Sequence, residues 1–162
     1  MKLLPLLTLC ALALPVSLFA KSDKKDEAVP NATISQVKVG PIVNDVPFEA
    51  KNMEGKPVVI EQWGVNCPPC IASLPEMAKL AKRYEAKGLV VVGLHAQQAT
   101  DEQINKILKT AKVKYPVARN GSVPVSTGGI PHALVFGKDG KLTWHGNPHD
   151  EAFQKAVREV MK

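Results

Sequence analysis

Two cysteines, Cys67 and Cys70, separated by Pro68-Pro69, are the residues of this sequence best suited to do chemistry. A bridge between them would close a very small loop and stabilise little through chain entropy. The spacing therefore fits a working thiol pair better than a structural staple. The residues before them, Pro57 to Trp63, are apolar and β-branched and read as a buried strand. The residues after them read as a helix. Cys67 then falls at the helix N-terminus, where unpaired backbone N–H groups and the macrodipole favour an anion. A thiolate in that place has a lowered pKa and is the attacking nucleophile. Cys70, one turn into the helix, is expected to be more buried and to act as the resolving thiol. Pro68 and Pro69 occupy the first turn, where a missing N–H costs little. They also restrict the donors that can reach the thiolate, and so help to set its redox poise.

Other uses of the same residues compete with this one. One C-x-x-C supplies two metal ligands, whereas a closed zinc site needs four. His95, His132, His145 and His149 are the remaining candidates. His95 and His132 close separate strand segments, and His145 and His149 flank a turn with Pro148, so no metal is expected. A thiol-based copper-binding module is the alternative outside the enzymes. Met53, Met77 and Met161 are scattered in sequence and form no soft-ligand cluster beside Cys67. Glu61 stands in the apolar strand six residues before Cys67. A carboxyl there is expected to be partly buried with a raised pKa, unless it faces solvent from an edge strand.

The elements that must position these groups follow from the pattern. Residues 34–39 (I-S-Q-V-K-V) alternate and suggest a short strand, and residues 40–57 are loop-like. In the helix after the cysteines, Ile71, Leu74, Ala78, Ala81 and Tyr84 fall at helical spacing and Gly88 ends it. Leu89 to Leu94 is a second apolar strand. Thr100 with Gln103 forms a capping box, and Ile104, Ile107, Leu108 and Ala111 give that helix its core face. Tyr115 to Ala118 is a short strand, and residues 119–130 are a loop. Ala133 to Phe136 is a third apolar strand, joined through the turn Lys138-Asp139-Gly140-Lys141 to Leu142–His145. Asn147 caps a last helix, with Pro148 at its first position and Phe153, Ala156, Val157 and Val160 facing inward. The order predicts an α/β domain with a central mixed sheet flanked by helices.

Length and composition bound the reading. The chain has 162 residues, 45% apolar and 22% charged, which fits one globular domain and excludes a fibrous or multi-span membrane protein. The net charge of +6 is spread over short clusters without interleaved aromatics, so no nucleic acid partner is expected. Lys2 precedes an uncharged apolar run, Leu3 to Ala20, and residues 21–27 are almost all polar. This describes an export signal cleaved after Ala20, or else an uncleaved anchor. Leu18 departs from the small-residue rule at the cleavage site. Leu9 argues against a lipidated Cys10. Residues 21–45 then read as a flexible tether with the short strand, and 46–162 as the folded domain. Removing the leader leaves only Cys67 and Cys70, an even count that suggests pairing in an oxidising compartment.

The stretch V-V-I-E-Q-W-G-V-N-C-P-P-C resembles the active site of the thioredoxin superfamily. A second match, Gly129-Ile130-Pro131-His132-Ala133-Leu134-Val135-Phe136 followed by Lys138-Asp139-Gly140-Lys141, is similar to the segment that carries that superfamily's cis-proline. With the leader, the chain looks most like the TlpA/ResA-like branch of exported thiol–disulfide oxidoreductases. The resemblance implies a thioredoxin fold and a redox-active Cys67–Cys70 pair with no bound cofactor. It implies a cis Pro131 beside the cysteines, with the backbone of Ile130 free to pair with substrate. Trp63, which would pack under the site, Pro68 and Pro69 would join Ile130 and Pro131 in binding substrate, Pro75 would kink the first helix, and Glu61 would move the proton of Cys70. Substrates would be protein disulfides of the cell envelope, apocytochrome c among them, and a membrane protein would donate electrons. Disulfide formation is the alternative direction. Many members of this branch have a Glu three residues after the second cysteine; here that position is Ser73.

Overall fold

The computed structural model describes residues 29–162. The apolar leader, with Cys10 and the cleavage site after Ala20, lies outside the described residues, as does the tether up to residue 28. Five strands form one mixed sheet: β1 (Val58–Trp63), β2 (Val90–His95), β3 (Val117–Arg119), β4 (His132–Phe136) and β5 (Leu142–Gly146), in the order β3-β2-β1-β4-β5. β1 is central. It runs parallel to β2 and antiparallel to β4, so Glu61 stands opposite Gly93 on one side and Ala133 on the other. Three helices complete the fold: α1 (Pro68–Tyr84), α2 (Asp101–Thr110) and α3 (Glu151–Val160). This is the α/β thioredoxin fold, with a mixed sheet flanked by helices. Among the described residues no helix is long and apolar enough to cross a membrane.

Period-two alternation in β1 divides the core. Val59 and Trp63 join a cluster with Leu74 and Met77 of α1, Ile104 and Leu108 of α2, and Phe153 and Val157 of α3. Val58 and Ile60 face the opposite way, into a cluster with Leu94, Leu134 and Phe136 that Ala32, Val37 and Met53 cover from the N-terminal segment. That segment therefore packs on the sheet from Ala32 onward, where a tether was expected. The alternating residues 34–39 also differ from expectation. Ile34–Gln36 is a single 3-10 turn, because the Gln36 side chain turns back to accept from the Thr33 N–H at 2.8 Å. The flanking residues pair only singly, Thr33 with Lys141 and Lys38 with Ser122.

The helix boundaries follow local chemistry. Cys67 is the N-cap of α1, and Pro68 and Pro69 fill its first positions. The helix runs through Pro75, and after one 3-10 turn Gly88 leaves in the left-handed region at φ 85°. At α2 the Thr100 hydroxyl accepts from Gln103 N at 3.2 Å, and Gln103 Oε1 accepts from Thr100 N at 2.9 Å. At α3 the expected cap is displaced. Asn147 Oδ1 accepts from His149 N at 3.0 Å, which closes a separate turn around Pro148. Asp150 is the N-cap residue, and the helix opens at Glu151.

Phe153 anchors α3, fully enclosed and 5.5 Å from the Trp144 ring centre. Phe153→Ala should lower unfolding stability by roughly 3–5 kcal/mol, measured by urea denaturation. A loss below about 1 kcal/mol would show that α3 does not depend on this anchor.

Candidate active site

Cys67 and Cys70 are joined as a disulfide, with Cα atoms 5.2 Å apart. The two sulfurs are not equivalent. Cys67 keeps 7% of its surface exposed and Cys70 none. Cys67 Sγ accepts from Cys70 N at 3.3 Å. It also lies 3.7 Å from the carbonyl oxygen of Ile130, whose bond to Pro131 is cis. Strand β4 starts directly after that proline, so β4 and α1 meet at the disulfide although their sequences are far apart. Pro68 and Pro69 are exposed at the rim and Ile130 is half-buried beside them. Trp63 is different. It has no exposed surface and packs edge-on against His95, ring centres 5.1 Å apart. It supports the site from beneath and presents nothing to a substrate.

The loop between β1 and α1 is pinned from β2 and the residues after it. Val65 N donates to His95 Nε2 at 3.2 Å, and Asn66 N donates to Gln97 Oε1 at 2.8 Å. Gly64 gives the Gln97 side chain its room: a Cβ would fall 2.3 Å from it and displace the Oε1 that accepts from Asn66. Burial holds the His95 imidazole below its usual pKa, which keeps it the neutral acceptor that Val65 needs. From the other side, His149 Nε2 lies 3.0 Å from the Pro69 carbonyl oxygen and ties the turn before α3 to the start of α1.

Glu61 is completely buried on the α1 face of β1. Ser73 donates to Oε1 at 2.8 Å, and the Tyr115 hydroxyl donates to Oε2 at 2.9 Å. Burial pushes the carboxyl from 4.5 up to about 7; the two hydrogen bonds and the nearby His149 oppose that rise. Burial, with the charge of Glu61, raises Tyr115 well above its ordinary value, so it is a donor at neutral pH. The sequence had marked Glu61 but not its partners. Tyr115 read only as the start of a strand, and no local pattern marks it.

His132 follows Pro131 but has no exposed surface. Its Nδ1 lies 3.0 Å from Gln62 Oε1, and its Nε2 lies 3.4 Å from His145 Nδ1. Burial, reinforced by His145, lowers it to about 4, so it is neutral at pH 7. Met53 lies on the opposite face of the sheet from Met77 and Met161.

The sheet order, the helix-start disulfide and the cis-proline beside it together define a thioredoxin-fold redox protein. The Redoxin family model matches residues 24–160. A thiol-disulfide oxidoreductase ResA of Bacillus cereus (strain ATCC 10987) is 30% identical over 130 residues, covering 76% of this chain and 71% of that one. Another ResA, from Bacillus cereus (strain ZK), is 31% identical over 99 residues, 59% of this chain and 57% of its own length. A thiol:disulfide interchange protein from Chlorobium tepidum shares the fold, with a TM-score of 0.68 and 23% identity, covering 84% of this chain and 99% of that one. The chain belongs to the Redoxin family, as a ResA-like member of the thioredoxin superfamily and, by class, a thiol–disulfide oxidoreductase.

The raised carboxyl has a consequence for stability. Its folded pKa of about 7 lies above 4.5, so between these values the folded state binds more protons than the unfolded state. Against the opposite slope that His132, lowered from 6.5 to about 4, contributes between those values, the Glu61 contribution to stability falls as pH rises from about 4.5 to 7, by roughly 3 kcal/mol, and is level above that. Glu61→Gln should remove this slope. Urea midpoints at pH 5 and 7.5 test it, and an unchanged slope in Glu61→Gln would assign the dependence elsewhere.

Proposed function

We propose that this protein is an exported reductant of protein disulfides in the cell envelope. The observation that supports the reductive direction is the poverty of donors around Cys67. A thiolate at a helix start can draw on several backbone N–H groups, but Pro68 and Pro69 remove two of them, and the donor that reaches Cys67 Sγ is the N–H of Cys70. A dithiol is a strong oxidant when its thiolate form is strongly stabilised. Here that stabilisation is limited, so the pair gives up electrons more readily.

In the reaction, Cys67 thiolate attacks a substrate disulfide. One substrate sulfur leaves as a thiolate, and Cys67 is held to the other in a mixed disulfide. Cys70 gives its proton to Glu61 and attacks Cys67. The Cys67–substrate bond breaks, the second substrate thiolate leaves, and the Cys67–Cys70 disulfide remains. Two electrons pass to the substrate with no bound cofactor. Glu61 is the proton acceptor, and burial between Ser73 and Tyr115 suits it to exchange a proton near neutrality. Ile130 and Pro131 hold an extended substrate segment against Cys67 by backbone pairing, with Pro68 and Pro69 at the rim. A membrane dithiol donor restores the reduced pair. The apolar leader supports export, and the resemblance to the TlpA/ResA-like branch supports apocytochrome c among the substrates.

The reduction potential of the Cys67–Cys70 pair, read by equilibration with dithiothreitol buffers, should be about −250 mV or lower. A value near about −120 mV would reverse the direction and make the protein a disulfide-forming oxidase. Cys67→Ala should abolish disulfide reductase activity, and Cys70→Ala should accumulate mixed disulfides through Cys67. Retained activity in Cys67→Ala would overturn the assignment.

A further inference from the structure

Ser73 is hydrogen-bonded to both of the residues that exchange a proton in the proposed reaction, to the carboxyl of Glu61 and to the backbone of Cys70. Its Oγ lies 2.8 Å from Glu61 Oε1 and 2.8 Å from the carbonyl oxygen of Cys70. Both are acceptors when Glu61 is ionised, and a hydroxyl has one hydrogen. With Glu61 a carboxylate, the charge draws that hydrogen, since charge-assisted hydrogen bonds are the stronger kind. Tyr115 serves the other oxygen, so each carboxylate oxygen has one donor. With Glu61 protonated, the acid's own hydrogen can go to Ser73 Oγ, and Ser73 is then free to donate to Cys70.

The surroundings leave this arrangement little competition. The strand neighbours of Glu61 are Gly93 and Ala133, which bring no charge. From α1 it faces Ser73, from the segment before β3 it faces Tyr115, and His149 contributes charge from the turn before α3. Ser73 is itself buried, so water does not freely replace its hydrogen bonds.

We propose that Ser73 is a positioning residue whose hydroxyl follows the proton of Glu61 and links that carboxyl to the residue that resolves the mixed disulfide. This rests on the reading of Glu61 as proton acceptor. Tyr115 is the informative comparison, since it also donates to Glu61 but has no link to Cys70.

The resolving step can be isolated with the full chain. Cys67 is loaded as a mixed disulfide with 5-thio-2-nitrobenzoate. Cys70 passes its proton to Glu61, its sulfur attacks Cys67, and the coloured aromatic thiolate leaves with the electron pair. Its release is followed against pH. The wild-type rate should rise through an inflection as Glu61 ionises, and Glu61→Gln should lose that inflection. Ser73→Ala and Tyr115→Phe each remove one donor to the carboxylate, so each should move the inflection up by roughly one pH unit. Ser73→Ala should also lower the plateau above the inflection several-fold, and Tyr115→Phe should not. Three results overturn the proposal. A wild-type profile in Ser73→Ala, with the inflection still lost in Glu61→Gln, removes Ser73 and leaves the Glu61 reading standing. A shifted inflection with an intact plateau makes Ser73 merely a second Tyr115, without a link to Cys70. An inflection that persists in Glu61→Gln removes the Glu61 reading, and the proposal with it.

Discussion

A carboxyl with no exposed surface lies in the central strand of the sheet, and the architecture around the disulfide is organised by its needs. Burying an ionisable group without partners is expensive, and the group responds by shifting its pKa or finding donors. Glu61 does both. Its donors are 12 and 54 residues away in sequence, so they exist only when α1 lies against β1 and the segment before β3 lies against β2. The proton chemistry and the packing of the core are in this sense one arrangement. Disturbing the seating of α1 would strand a buried carboxyl as well as displace Cys70.

The disulfide is set by a second constraint, the change from strand to helix at residue 67. Ending β1 at Trp63 leaves a loop of Gly64-Val65-Asn66, and His95 and Gln97 fasten two of its N–H groups. The helix therefore begins in a defined place, with Cys67 at its cap and the cis-proline segment across from it. The two prolines remove donors that would otherwise stabilise a thiolate. A rigid cap with few donors holds Cys67 in a defined place and gives its thiolate little stabilisation.

This division explains what the sequence allowed to be read. The strand-to-helix change, the C-P-P-C pair and the Thr100 cap are local patterns, and the structure has them where their residue types indicate. The alternation in residues 34–39 was also local, but Gln36 folding back onto Thr33 outweighs a weak strand preference where the neighbouring chain offers only single bridges. At α3 the choice between Asn147 and Asp150 as cap turns on whether Pro148 opens the helix or belongs to a preceding turn, and the Asn147 side chain decides this by accepting from His149. Burial of the chain from Ala32 onward depends on a sheet face that composition does not reveal. Tyr115 is the hardest case. It reaches Glu61 only through the pairing of β3 with β2 and of β2 with β1, and each pairing is non-local.

Gly93 shows how closely these non-local pairings are tied together. It interrupts the apolar run Val90 to Leu94 of β2, where glycine weakens the element and often marks a close approach. It stands beside Glu61 in the ladder, and a Cβ there would lie 3.1 Å from Val117, 3.3 Å from the Tyr115 ring and 3.5 Å from Trp63 Nε1. Two of these contacts are tighter than most, so a side chain at this position would need Val117, at the start of β3, and the Tyr115 ring to give by a few tenths of an ångström. The same ring carries the hydroxyl that donates to Glu61 at 2.9 Å. The glycine thus leaves room beside the ring that reaches the carboxyl from beyond β2. Seen from the site, the three features no local pattern connects (a glycine in β2, a tyrosine before β3 and a serine in α1) meet at a single side chain of β1.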